Sequence, residues 1–226
     1  MESSIALIFD LDGTLVDSVY QHVLAWQEAL RGEAIELSVW RIHRKIGMSG
    51  GLFSQALLRE TGKSLDQEVM LRLQKAHAEA YHRRLGQVVP LPGARELLGC
   101  LSNLQVPWAV ATSGRLETAA PAAAMLKLPP HVPLVTRDDV PHAKPSPDLF
   151  LEAMRRLGVD PTDTVVVGDS IWDMLAARRA RALGVGLLSG GYGEGELEKA
   201  GAYRVYEDPA GLLRHLDELG VRALEC

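Results

Sequence analysis

Residues 5–14 read Ile5-Ala6-Leu7-Ile8-Phe9-Asp10-Leu11-Asp12-Gly13-Thr14. An apolar run of this length, closed by acids and a glycine, suits a strand buried on both faces, as in a parallel sheet covered by helices. Trp108-Ala109-Val110-Ala111 and Val165-Val166-Val167 repeat the pattern, each followed by polar residues or turn formers. Between these runs the apolar period changes to that of helices. Ala94, Leu97, Leu98 and Leu101 mark one face, and Leu149, Ala153 and Leu157 mark another. Ser146-Pro147 reads as an N-cap followed by proline at the first helical position. A helix starting near Glu117 would place Pro121 in its first turn, where proline is tolerated. Strands alternating with helices predict an α/β, doubly wound parallel sheet.

One stretch departs from the alternation. From about Asp17 to Gln87 there are helical patterns and no convincing buried strand. Ser18-Val19-Tyr20-Gln21 reads as a capping box, with Val19, Val23, Trp26 and Leu30 on one face and Gly32 as a stop. Ser64-Leu65-Asp66-Gln67 opens a second helix whose inner face carries Val69, Leu73, Ala76 and Ala80. The prolines of Val88-Val89-Pro90-Leu91-Pro92-Gly93 suit a connector. The expected division is a core of residues 1–16 and 88–226 with an all-helical cap domain, 17–87, inserted after the first strand.

Length and composition set the class. A chain of 226 residues, 47% of them hydrophobic, can bury a large core with a smaller second unit. A net charge of -5 disfavours a nucleic-acid or membrane-surface binder, because nothing neutralises a phosphate backbone. MESSIALIFD has too few apolar residues before Asp10 for a signal peptide, and no run approaches a membrane span. Cys100 and Cys226 read as ordinary reduced thiols. The expectation is a cytoplasmic enzyme.

The chemistry lies at the ends of the strands. Asp10 and Asp12, two residues apart where the first strand ends, can face one crevice, and open α/β sheets bind ligands at such carboxyl ends. Alone, the pair also fits an Asx-rich turn. Three further segments carry complementary groups. Thr112-Ser113-Gly114 offers a hydroxyl and backbone N–H groups for an anion; Lys144 precedes a capped helix; Gly168-Asp169-Ser170-Ile171-Trp172-Asp173 supplies two more acids at a helix start. Each separately could be a turn, a solvated charge or a cap. Their joint occurrence at successive strand ends is hard to obtain from turn chemistry.

In Asp10-Leu11-Asp12-Gly13-Thr14, Thr112, Lys144 and Gly168-Asp169 with Asp173, the chain resembles the haloacid dehalogenase-like superfamily over essentially its whole length, helical insertion included. That resemblance implies a Rossmann-like core beneath a mobile cap, with the active site between them. Four carboxylates, Asp10, Asp12, Asp169 and Asp173, would repel by roughly 4 kcal/mol per pair about 4 Å apart. Such a cluster calls for a cation, and oxygen ligands without His or Cys favour Mg²⁺. By resemblance the side chains of Asp10 and Asp169 and the backbone carbonyl of Asp12 bind it, while Asp173 ligates through water or orients Lys144. The resemblance further implies that Asp10 is the nucleophile, forming an aspartyl-phosphate, and that Asp12 is the general acid and base. Thr112 and the Ser113 N–H would hold a non-bridging oxygen, and Lys144 would neutralise the phosphate.

The substrate class implied is a small phosphorylated metabolite, phosphoglycolate or a sugar phosphate, met by a monomer or weak dimer without nucleic-acid or membrane partners. Asp12 argues against the family's dehalogenases and phosphonoacetaldehyde hydrolases, which lack the second acid. The alternative is a sugar-phosphate mutase resembling β-phosphoglucomutase, because His22 and Trp26 sit where that enzyme has a hinge-proximal His and Trp. Against it, Ser49-Gly50-Gly51 stands where the mutase has a sugar-binding arginine. Arg41, His43, Arg44 and Lys45 read as a solvated basic face, or as a patch for a second anionic group of the substrate. His22 reads as structural, and His77, His82 and His142 receive no role. Gly190-Gly191-Tyr192-Gly193-Glu194-Gly195 reads as a loop between a late strand and a terminal helix, since it lacks the lysine and the setting of a nucleotide loop.

Overall fold

The computed structural model describes residues 5–48, 50–62 and 66–221. In chain order, β1 (Ala6–Phe9) and β2 (Val16–Asp17) precede helices α1 (Val19–Gly32), α2 (Val39–His43), α3 (Gly50–Thr61) and α4 (Gln67–His82). Then follow β3 (Val89–Pro90), α5 (Ala94–Asn103), β4 (Trp108–Ala111), α6 (Leu116–Met125), β5 (Leu134–Val135), α7 (Asp148–Leu157) and β6 (Thr164–Gly168). The last elements are α8 (Ile171–Ala180), β7 (Leu183–Leu187), α9 (Glu194–Ala200), β8 (Ala202–Tyr206) and α10 (Pro209–Leu213). Six strands form a parallel sheet in the order β5-β4-β1-β6-β7-β8, an α/β fold of Rossmann-like type.

The two-residue period of a strand explains how β1 and β6 are buried on both faces. Leu7, Phe9, Val165 and Val167 point into a cluster with α5, α6 and α10. Ile8 and Val166, between them, point into the opposite cluster with Leu149, Phe150 and Ala153 of α7 and Ala176 and Ala177 of α8. In register, Leu7 lies beside Trp108 on one flank and Val165 on the other, so β1 is central. The strand ends carrying the predicted acids therefore meet along one edge of the sheet.

Helices α1 to α4 gather a third cluster of their own, built on Val19, Val23, Leu30, Ile42, Phe53, Leu57 and Leu73. The two chain crossings on either side of them are zipped by an antiparallel ribbon, with Val16 opposite Pro90 and Asp17 opposite Val89. That ribbon is too short to leave a periodic trace in the sequence. Among the described residues, no helix is long and apolar enough to cross a membrane.

Several local expectations change. Ser18 precedes α1 but does not cap it: its hydroxyl donates to Asp12 Oδ1 at 2.6 Å, a tertiary partner displacing a local one. The predicted opening at Ser64 and Leu65 lies outside the described residues, and Asp66 caps α4 by accepting from Val69 N at 2.8 Å. Helix α7 begins at Asp148, one residue later than predicted, and Ser146 donates to the Asp148 carboxylate instead of capping. Pro121 lies inside α6 beyond its first turn, where its missing N–H removes a helical hydrogen bond. Cys100 is disulfide-bonded, correcting its reading as a free thiol, since separation in sequence says nothing of separation in space; Cys226 lies outside the described residues.

Candidate active site

Asp10 follows β1 directly, anchored by its N–H to Val167 O at 2.9 Å. Asp169 follows β6, and Asp173 lies in the first turn of α8. Carboxylate oxygens of these three residues lie within 4.8 Å of one another, and all three side chains are buried. Lys144, with no exposed surface, enters the cluster from the loop before α7. Its ammonium pairs with Asp10 Oδ1 and lies 2.7 Å from Asp173 Oδ1.

The electrostatics follow from that crowding. Burial pushes the Asp10 carboxyl up to about 7, with Lys144 pulling against the rise and Asp173 and Asp12 adding to it. Burial, then Asp173 and Asp10, hold Asp169 well above the usual carboxylate range, although Thr14 donates to it at 2.9 Å. Burial would lower Lys144, but Asp10 and Asp173 overcome it and keep the ammonium charged. Three buried carboxylates sharing one lysine are short of positive charge. An all-oxygen donor set with that deficit fits a hard divalent cation.

Asp12 is held apart from the cluster. Its carboxylate accepts from Ser18 Oγ and lies 3.2 Å from His22 Nε2. Burial would raise it, yet His22 and Ser18 hold it below its usual value. His22 Nδ1 in turn meets His77 Nε2 at 3.1 Å, and the His22 ring stacks on Tyr81 at 3.8 Å. Burial, and then His22, push His77 well below the ordinary histidine range. Two neighbouring acids thus occupy opposite environments, Asp10 raised and Asp12 lowered. Divergent pairs of this kind mark division of labour in acid–base sites.

Thr112 follows β4 directly; its N–H bonds Val135 O and its Oγ1 accepts from Gly114 N at 3.0 Å. Ser113, next to it, donates its hydroxyl to Gly47 O across the cleft at 2.9 Å. All seven predicted site residues therefore lie along one edge of the sheet or on the loops above it. A cavity of about 600 Å³ opens there, lined by Asp10, Asp12, Thr112 and Ser113 below and by Trp26 and Lys75 above.

The sequence reading missed Ser18, His77 and Gly190. Ser18 and His22 stand one helical turn apart and both reach Asp12, a spacing visible in the sequence once Asp12 is known to face α1. Gly190 is required by close approach: a Cβ there would lie 1.7 Å from Asp169 Oδ2. Of the basic face, His43 and Lys45 are buried, so the solvated reading fails for them. Lys45 pairs with Glu60 and His43 donates to Gly190 O at 2.7 Å. Ser49 lies outside the described residues.

A family model described as haloacid dehalogenase-like hydrolase matches residues 6–181. A phosphoglycolate phosphatase of Chromobacterium violaceum is 32% identical over 202 residues, covering 87% of this chain and 89% of its own. The crystal structure of a hydrolase from Pseudomonas syringae is 57% identical and superposes with a TM-score of 0.93, over 95% of this chain and 99% of that one. A putative β-phosphoglucomutase from Bacteroides vulgatus, 23% identical with a TM-score of 0.85 over 99% of this chain and 91% of its own, shares the fold. A family match across most of the chain and a phosphatase relative spanning nearly all of it make this protein a haloacid dehalogenase-like hydrolase of the phosphatase kind.

Proposed function

We propose that the chain hydrolyses small phosphate monoesters through attack by Asp10 on phosphorus, with Mg²⁺ as cofactor. The observation that carries this reading is the pairing of buried Asp10 with Lys144 beside Asp169 and Asp173, while Asp12 is held separately by Ser18 and His22. Asp10 and Asp169, with the backbone carbonyl of Asp12, would hold the cation, which when bound neutralises the phosphate's charge. Asp173, which already pairs with Lys144, orients that lysine.

Lys144 binds a phosphate oxygen, and Thr112 Oγ1 and the Ser113 N–H bind another, so anionic Asp10 meets phosphorus in line. An aspartyl-phosphate results. Asp12 protonates the leaving alkoxide and then takes a proton from the water that cleaves the intermediate. The pull of His22 and Ser18 favours the second half of that cycle. The negative charge of the arriving phosphate raises the proton affinity of Asp12 for the first.

Helices α1 to α4, within residues 17–87, act as a cap domain over the cavity. The cavity accommodates a two-carbon phospho-acid, the substrate class in the name of the Chromobacterium relative, and equally a sugar phosphate. The test is phosphate release from a panel of phosphorylated metabolites, with Mg²⁺ or with chelator, for the wild type and Asp10→Asn. Metal-dependent release abolished by the substitution is expected. Conversion of β-glucose 1-phosphate to an isomer without phosphate release would move the assignment to a mutase.

A further inference from the structure

The segment from His43 to Gly47, running from the end of α2 toward α3, is fastened to the core segments that follow β4, β6 and β7. His43 Nε2 donates to Gly190 O, under which Asp169 packs, and its ring stacks on Tyr20. The Arg44 guanidinium grips both carboxylate oxygens of Glu196 and lies 4.1 Å from the centre of the Tyr192 ring. The backbone oxygen of Arg44 accepts from Tyr192 Oη at 3.1 Å and from Trp172 Nε1 at 3.3 Å. Gly47, at φ +89°, lies so close to Ser170 that a Cβ would sit 3.0 Å from its Oγ. Its carbonyl accepts from Ser113, the residue proposed to hold phosphate.

These contacts form one clasp. Among the described residues no hydrogen bond or ion pair joins Arg44 to Asp10, Asp12, Thr112 or Ser113, yet it fixes the backbone from which Lys45, Ile46 and Gly47 face the cavity. We propose that Arg44 is a positioning residue: by gripping Glu196 and Tyr192 of the core it holds segment 43–47 closed over the phosphate loop at Ser113. This rests on the reading of residues 17–87 as a cap that opens and closes. Closure in the free protein raises the fraction of molecules competent to bind. Apparent affinity scales with that fraction, so the clasp acts on KM, while the residues that meet phosphorus are untouched. Glu196 lies on α9, outside the motif segments, and Arg44 is its one ion-pair partner among the described residues. The pair is therefore the accessible handle on closure.

The experiment compares Arg44→Ala, Glu196→Ala, both together, and the exchanged pair Arg44→Glu with Glu196→Arg, using p-nitrophenyl phosphate with Mg²⁺. Either alanine substitution is expected to raise KM about threefold to tenfold, the range an exposed ion pair and a cation–π contact support, with kcat unchanged or higher. The double substitution should add little to Arg44→Ala, and the exchanged pair should recover part of the loss. Added salt should raise the wild-type KM more than that of Arg44→Ala. Small-angle scattering of the free protein should show a larger radius of gyration for Arg44→Ala. Equal KM values, or an equal fall in kcat with no change in dimensions, would overturn the clasp. Absence of activity from the wild type on any phosphate ester would instead sink the phosphatase reading, and scattering would still judge closure.

Discussion

Lys144 is the residue on which the site's charge balance turns. Its ammonium serves Asp10 and Asp173 at once and has no exposed surface of its own. Lys144→Met removes that charge at nearly constant volume, taking the ion-pair partner from Asp10 and leaving Asp173 with only its hydrogen bonds from Ser170. Losing one member of a buried pair destabilises by about 3–5 kcal/mol. Urea unfolding should show a loss of that size, and millimolar Mg²⁺ should recover part of it by supplying positive charge to the same carboxylates. A loss indifferent to Mg²⁺ would mean that the cation does not bind there. The residues found from the sequence, Asp10, Thr112, Lys144 and Asp169, each stand next to a strand end or a helix start that the apolar pattern reveals. Ser18 was legible only as a helix cap, because a hydroxyl before an apolar period looks the same whether it serves its own helix or an acid six residues back.

At the scale of elements, α7 shows how exposed charges tune stability with pH. Glu152 accepts from Arg155 Nε and Arg156 Nε, each at 2.7 Å, and the two guanidinium groups draw its carboxyl down to about 2 from 4.5. A carboxyl depressed on folding contributes stability that is complete above its unfolded value and disappears as pH falls through the folded one. Glu152→Gln is therefore expected to destabilise by about 0.5 kcal/mol at pH 7, the scale of exposed pairs. The gap from wild type should narrow as pH falls from about 4.5 toward 2, read from urea midpoints. The same helix was easily found in sequence from Leu149 and Ala153, both buried. The ribbon of β2 and β3 was not, because two residues carry no period, and Pro121 was misplaced because a buried apolar helix can absorb one lost hydrogen bond.

For the whole molecule, α1 to α4 share a cluster distinct from the two that flank the sheet, although Ala25 of α1 and Ala80 and Tyr81 of α4 also pack into one of those two. Leu73 is fully buried in the cluster those helices share and takes no part in the two clusters flanking the sheet. Leu73→Ala should cost about 2–5 kcal/mol of local stability. Hydrogen exchange should then quicken through α1 and α4 and leave the amides of β1, β4 and β6 protected. Uniform acceleration across the sheet would mean that the helices and the sheet unfold as one unit. Class and edge-of-sheet site were readable in sequence because each strand announces itself locally. Strand order was not, since no local pattern says that the first strand lies between β4 and β6.

That central position of β1 bears on how the protein is made. Ala6–Phe9 is synthesised before its partners and must wait for residues 108–111 on one flank and 164–168 on the other before both edges are paired. The helices of residues 19–82 have gathered most of their own apolar partners long before then. During synthesis an apolar segment thus stays unpaired while the helices that follow it are already able to collapse, a natural client for chaperones that shield nascent chains. Asp10, next to that strand, therefore has neither Lys144 nor Asp169 beside it until the growing chain has passed residue 169.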